Sequence, residues 1–236
     1  MEDIFLNLVV IALVAVVIGG VFIVYYSRQA RKEAQLAREA QSRGWQYQRI
    51  RERLVSGYRL SGVASGNVAW TLESTAQSSD GEAAPGSSSI VRRTRWWSEA
   101  ATLPNRMALI GSRPAAGPSP NVLGGLGGMV VQAALRVMLG DQAGQVAGLS
   151  EAQVGSETFR ERYMVFAHDP TEAQRLLGAG VESALLNWPM RQQIVIKLSQ
   201  SGIEVSILGK QITEVAEIEQ IVGLGSRLVL AWQSRA

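Results

Sequence analysis

The chain has no cysteine and a single histidine, His168, among its 236 residues. Without thiols there is no disulfide scaffold, no thiolate zinc site, no cysteine nucleophile and no lipidated cysteine. One histidine leaves little of the metal-ligand and acid–base chemistry that depends on imidazole. Charge is also scarce: 18% of the residues are charged against 47% hydrophobic, and the mean hydropathy is +0.07. That is too apolar for an ordinary soluble domain, so part of the chain belongs outside water.

The net charge of +3 and the pI near 9.5 raise the question of nucleic acid. The distribution of charge answers it. Residues 1–26 hold only Glu2 and Asp3; residues 27–60 hold nine basic against three acidic residues; the remaining 176 residues carry 14 basic and 15 acidic groups. All the net basicity sits in one block directly after the N-terminal apolar run, a membrane-flank pattern and not a nucleic-acid footprint.

Ile4 to Tyr26 is uncharged, and only Asn7 in it is strongly polar. About 20 apolar residues at 1.5 Å rise cross a hydrocarbon core, so residues 1–26 read as a short N-terminus and a transmembrane helix. Tyr25 and Tyr26 fall where an interfacial aromatic belt sits, and Arg28, Arg31 and Lys32 follow at once. The acidic start and the long core argue against a cleaved signal. Basic residues after the span and none before it place the N-terminus outside and the bulk of the chain in the cytoplasm, as a single-pass protein of the cell membrane.

Residues 27–44 are rich in Ala, Arg, Gln, Glu and Lys, without Pro or Gly until Gly44, and predict a helical stalk continuing the span. Leu36 is its only large apolar residue, so the expectation is a solvated helix with a Glu39–Arg43 pair on its surface.

Residues 45–236 predict an α+β domain: an antiparallel sheet with helices on one face, with a subdivision near 112–157 left open. Trp45 to Leu54 fits strand and helix equally. Tyr58–Val63 and Val68–Glu73 read as a hairpin, residues 75–89 as a Ser- and Gly-rich loop, Ile90–Ser98 as a third strand and Met107–Gly111 as a fourth. Val122–Leu139 is a second apolar run. Its glycines and Arg136 argue against a second span and for an amphipathic helix over Met129–Leu139, packed on the sheet or dipping into the membrane interface. Its glycines match no phosphate-loop or dinucleotide pattern. After a polar linker (140–157), Arg160–Ala167 reads as a strand. Asp169-Pro170-Thr171-Glu172 reads as a capped helix start, and the helix carries Ala173, Leu176, Leu177, Val181, Ala184 and Leu185 inward and runs toward Pro189. Gln193–Leu198 and Ile203–Leu208 form a second hairpin. A helix from Thr213 to Ala231 buries Val215, Ile218, Ile221, Val222, Leu228 and Val229.

The run Tyr58-Arg59-Leu60-Ser61-Gly62, then Val68 to Glu73, then Phe159 with Tyr163-Met164-Val165 before Asp169, resembles bacterial single-pass membrane proteins bearing a domain of unknown function. The resemblance covers residues 58–230 and implies no activity, cofactor or site.

No catalytic constellation is legible, and neither a cofactor nor a metal is expected. His168 beside Asp169 reads as a turn histidine, since Asp169 is taken by capping. Glu214, Glu217 and Glu219 read as a solvated helix face. The strongest recognition candidate is Arg92, Arg93 and Arg95 with Trp96 and Trp97, residue types that suit phosphate or carboxylate contacts and binding hot spots. Weighed against it is an edge strand guarded by charge with its tryptophans in the core. The expected function is a membrane-anchored, non-catalytic interaction or accessory protein, a subunit of a membrane complex. The alternative is a lipid- or small-ligand-binding domain tethered at the membrane. The partners expected are the lipid bilayer and a protein partner or second copy of the chain, and not nucleic acid.

Overall fold

The computed structural model describes residues 20, 27, 30–78, 90–103, 106–113, 148–178, 180–188 and 193–233. No helix among them is long and apolar enough to cross a membrane. The span expected over Ile4–Tyr26 lies outside them save for Gly20. So do most of the loop at 75–89 and the amphipathic helix expected within Val122–Leu139. The chain divides into two units, Met1–Gly44 and Trp45–Ala236.

In the first unit, residues 30–42 form helix α1. Gly44 at φ +73° closes it, its N–H donating to the Gln41 carbonyl at 3.0 Å. That left-handed conformation suits a residue without a Cβ. Glu39 and Arg43 approach to 3.9 Å, one turn apart. Most residues of α1 are exposed, while Leu36 and Ala40, also one turn apart, are buried.

The second unit is built on a sheet of nine strands among the described residues: β1 (Gln46–Arg51), β2 (Val55–Ala64), β3 (Val68–Ser78), β4 (Ile90–Ser98), β5 (Ala108–Ser112), β6 (Ser150–Glu151), β7 (Tyr163–Ala167), β8 (Ile194–Ser199) and β9 (Gly202–Leu208). Their order is β1-β2-β3-β4-β9-β8-β5-β7-β6, and every pairing is antiparallel. The first four strands form a meander, and the β8–β9 hairpin inserts between β4 and β5. Among the described residues four α-helices accompany the sheet: α2 (Glu157–Arg162), α3 (Pro170–Leu177), α4 (Val181–Leu186) and α5 (Val215–Gln233).

The ambiguity at Trp45–Leu54 resolves as a strand, since Tyr47 stacks on Tyr58 across the β1–β2 pair at 6.0 Å. Such cross-strand aromatic pairs stabilise a sheet edge. Four other expectations are corrected. Residues 75–78 belong to β3, held by pairing with residues 55–57 on one side and 90–93 on the other. Residues 160–162 are helical, because the Ser156 hydroxyl caps α2 by accepting from the Phe159 N–H at 3.3 Å and Phe159 is buried. The long helix after Asp169 is two helices: Gly180 sits at φ +84°, which an α-helix does not accommodate. And β4 is an interior strand, flanked by β3 and β9, so its charges do not guard an edge.

Asp169 does cap α3, its Oδ1 accepting from the Thr171 N–H at 2.8 Å, but Glu172 does not reach back to complete the box. It pairs with Arg106 instead.

The core lies between the sheet and the helices. Leu60, Leu72, Trp96, Val205 and Ile196 point from the sheet, and Ile218, Ile221, Leu228 and Val229 from α5, all buried. Gly225 of α5 lies directly over Trp96; a Cβ there would come within 2.5 Å of the indole. Under the same face, Ser74 and Thr94 share a hydrogen bond at 2.9 Å, both hydroxyls reach the Ile212 N–H, and the Tyr58 hydroxyl donates to the Ile212 carbonyl. This node fixes the turn that leads into α5. Burial pushes the Tyr58 phenol above its ordinary range, which the Ser74 hydrogen bond only partly offsets, so it is a neutral donor.

Candidate functional site

Alternation along β4 divides the five recognition candidates between the two faces of the sheet. Arg92 and Trp96 point to the helix side, Arg92 exposed and Trp96 in the core. Arg93, Arg95 and Trp97 point to the other side, where no described helix supplies a core residue, and the structure brings these three together. Of the membrane-flank candidates, Tyr25, Tyr26 and Arg28 lie outside the described residues, while Arg31 and Lys32 are exposed on α1.

Register explains what meets them. One cross-strand row on the second face runs Thr71, Trp97, Glu204, Lys197, Leu109, Phe166. The next runs Arg59, Glu73, Arg95, Ser206, Val195, Gly111, Met164. Charge therefore occupies the β2–β8 half of the face and apolar side chains the β5–β7 half. Met107, Leu109, Met164, Phe166 and Val195 form one buried cluster, with Leu149 and Leu208 against it.

At the centre of the charged half sits Glu204. Its Oε1 accepts from Arg93 Nη2 at 2.9 Å and from the Ser206 hydroxyl at 2.9 Å. Its Oε2 lies 2.9 Å from Arg95 Nη2 and 3.2 Å from Lys197 Nζ. Three cations thus meet on one carboxylate, while Arg59 and Glu73 pair alongside. The carboxylate and the lysine are shielded, with side chains 8% and 10% exposed, while Arg93 and Arg95 are 47% and 41% exposed. Arg95 also stacks on Trp97, its guanidinium carbon 5.0 Å from the ring centre. Its Nε is shielded from solvent and has no acceptor among the described residues. Burial alone would push the Glu204 carboxyl up; Arg95, Lys197, the Ser206 hydroxyl and Arg93 outweigh it and hold the group below the usual carboxylate range.

Lys197, Glu204 and Ser206 were not singled out from the sequence, though a signal for the first two exists. They are the only charged residues of the second hairpin, and a two-residue turn at Gln200-Ser201 places residues 197 and 204 opposite each other. That the hairpin lies beside β4 has no such signal.

The other candidates assemble no chemistry. His168 Nδ1 lies 3.3 Å from the Met107 carbonyl, and Asp169 is engaged in capping, so no base-and-orienter pair forms. Glu217 pairs with Lys210. A groove of about 590 Å³ between α4 and α5 is lined by small residues such as Ala184 and Gly223, with Trp188, Glu219 and Arg227 at its sides.

No family model matches the chain, and no curated protein matches it. Among solved structures, the crystal structure of the mycobacterial trehalose monomycolate transport factor A is similar, with a TM-score of 0.46 and 10% sequence identity over 85% of this chain and 93% of that one. What the domain does has to be read from its own residues.

Proposed function

We propose that this chain is a non-catalytic lipid- or small-ligand-binding domain, tethered to the cell membrane by Ile4–Tyr26 with its C-terminal domain in the cytoplasm. The observation that supports it best is the second face of the sheet, where a charged cluster with two open arginines runs in register into an apolar one. An amphiphile with an anionic head matches that division, its head on the open guanidiniums and its apolar body toward the buried cluster. The basic stalk adds attraction to anionic headgroups, about 1 kcal/mol for each Lys or Arg near the surface.

Native mass spectrometry of the full-length chain, given phosphatidylglycerol or phosphatidylcholine in mild detergent, is expected to retain phosphatidylglycerol preferentially. Equal retention of the two, reproduced by a peptide of residues 1–44, would place the lipid on the span alone and remove the reading. A stoichiometric protein that co-purifies in place of lipid would favour the accessory-subunit role instead. The tether is tested separately: a topology reporter fused after Ala236 is expected to read as cytoplasmic, and an exported signal would reverse the orientation.

A further inference from the structure

We propose that helix α5 pairs with α5 of a second copy of this chain, antiparallel and crossing at Gly223, to form a two-fold symmetric dimer; this goes beyond the ligand-binding reading and does not depend on it. Ala216, Glu219, Gly223, Arg227 and Leu230 are all exposed and recur at spacings of three and four, which gathers them into one stripe of roughly 100° on the helix. The first four of them line the groove between α4 and α5, whose other side carries Gly180, Ala184 and Trp188.

Three features mark this stripe as a contact between copies and not a solvated helix face. The first is Gly223 itself. It weakens the helix interior it occupies, yet a Cβ built there would meet nothing packed against it within 4 Å, whereas Gly225, two residues on, makes room for Trp96. A glycine on an open helix face lets a second backbone come close. The second is that the charges are their own complement. Glu219 lies four residues before Gly223 and Arg227 four residues after it, so an antiparallel partner brings Arg227 of each copy to Glu219 of the other. Glu219 already takes part in another interaction, and an ionised carboxylate accepts from several donors, so the pairing does not need it free. A parallel pair would instead set Glu219 against Glu219 and Arg227 against Arg227, and like charges across a contact oppose it. The third is that the apolar positions obey the same symmetry. Ala216 and Leu230 stand seven residues either side of Gly223 and meet across the axis, small against large. Leu230 is 38% exposed, while every other Leu and Ile of α5 is buried. Trp188, partly exposed at the edge of the groove, adds an aromatic side chain of the kind that anchors protein contacts.

The test uses the full-length chain in mild detergent, and because the chain has no cysteine, introduced thiols report without background. Gly223→Cys lies on the axis and is expected to form a disulfide with its own copy on mild oxidation. Val91→Cys, exposed on the opposite face of the sheet, is not. A short bis-maleimide is expected to join Ala216→Cys chains to Leu230→Cys chains in a mixture and to join neither to itself, since the two copies of position 216 lie about 21 Å apart along the helix. Arg227→Glu is expected to raise the dimer dissociation constant, measured by sedimentation, about tenfold or more, because like charges then face each other at both ends. Adding Glu219→Arg to it is expected to restore the dimer. Gly223→Leu is expected to abolish the dimer without lowering the midpoint of unfolding, because its Cβ enters open space. Self-linking of Ala216→Cys chains would mean parallel pairing and overturns the proposal, as does a monomer at every concentration. A dimer indifferent to both Arg227→Glu and Gly223→Leu puts the contact on another part of the chain and overturns it equally. Position 223 shielded from maleimide in a monomer gives the groove to a lipid or a different protein, with the same consequence.

Discussion

Trp96→Ala is expected to destabilise the domain by about 4 kcal/mol, in the range of large aromatic deletions from a packed core. Among the described residues Trp96 is the largest fully buried side chain, on an interior strand, and its ring lies under Gly225 of α5. Its contribution comes from packing: the indole Nε1 is buried with no acceptor among the described residues. Trp96→Phe, which keeps most of the ring and removes that orphaned donor, is therefore expected to cost only about 1 kcal/mol. The converse change, Gly225→Val, puts side-chain atoms where the ring already is and should cost about 3 kcal/mol by forcing the helix outward. In the Trp96→Ala background that penalty should shrink, a coupling of at least about 1 kcal/mol. Denaturant unfolding of the full chain in detergent, followed by circular dichroism, measures all four. Strict additivity of the two changes would mean that α5 does not rest on Trp96.

Glu204→Gln is expected to cost about 3 kcal/mol at neutral pH, because Lys197, Arg93 and Arg95 lose the carboxylate that offsets them and Lys197 is largely buried. The sign of its pH dependence follows from the direction of the shift. The folded carboxyl lies below its unfolded value, so Glu204 stabilises fully above roughly pH 4.3, the ordinary glutamate value, and this contribution disappears as the pH falls through the lower folded one. The gap between wild type and Glu204→Gln should thus be widest at neutral pH and close in acid, where the wild-type side chain is itself protonated. Unfolding free energies at a series of pH values would show this, and a gap that persists in strong acid would mean the loss comes from packing and not charge.

Much of the local structure was legible because it is governed by short-range rules. Both hairpins follow from runs of alternating residues around turn residues, the α3 start from Asp169 and Pro170, and the two faces of β4 from strict alternation. The misreadings have equally local causes. Residues 160–162 carry strand-like alternation, but the Ser156 cap and the buried Phe159 favour a helical turn. The inward-facing spacing of leucines ran on through residues 178–180, and only a glycine in the left-handed region interrupts it.

The candidate site shows where local rules stop. The sequence alone determined that Arg93, Arg95 and Trp97 share one strand face, since a side-chain period of two needs no tertiary information. It also determined that the basic excess of the chain lies in residues 27–60 and that residues 61–236 are near neutral. Only the tertiary structure decided that β4 is interior and that β9 is its neighbour, and with that the identity of the group that organises the arginines. Residues 95 and 204 meet because the β8–β9 hairpin inserts beside the meander, a choice made by burial of Ile203, Val205 and Ile207 under the helices. The charges on the opposite face followed that apolar choice, and the meeting of Arg93, Arg95 and Lys197 on Glu204 became visible only once the strands were side by side.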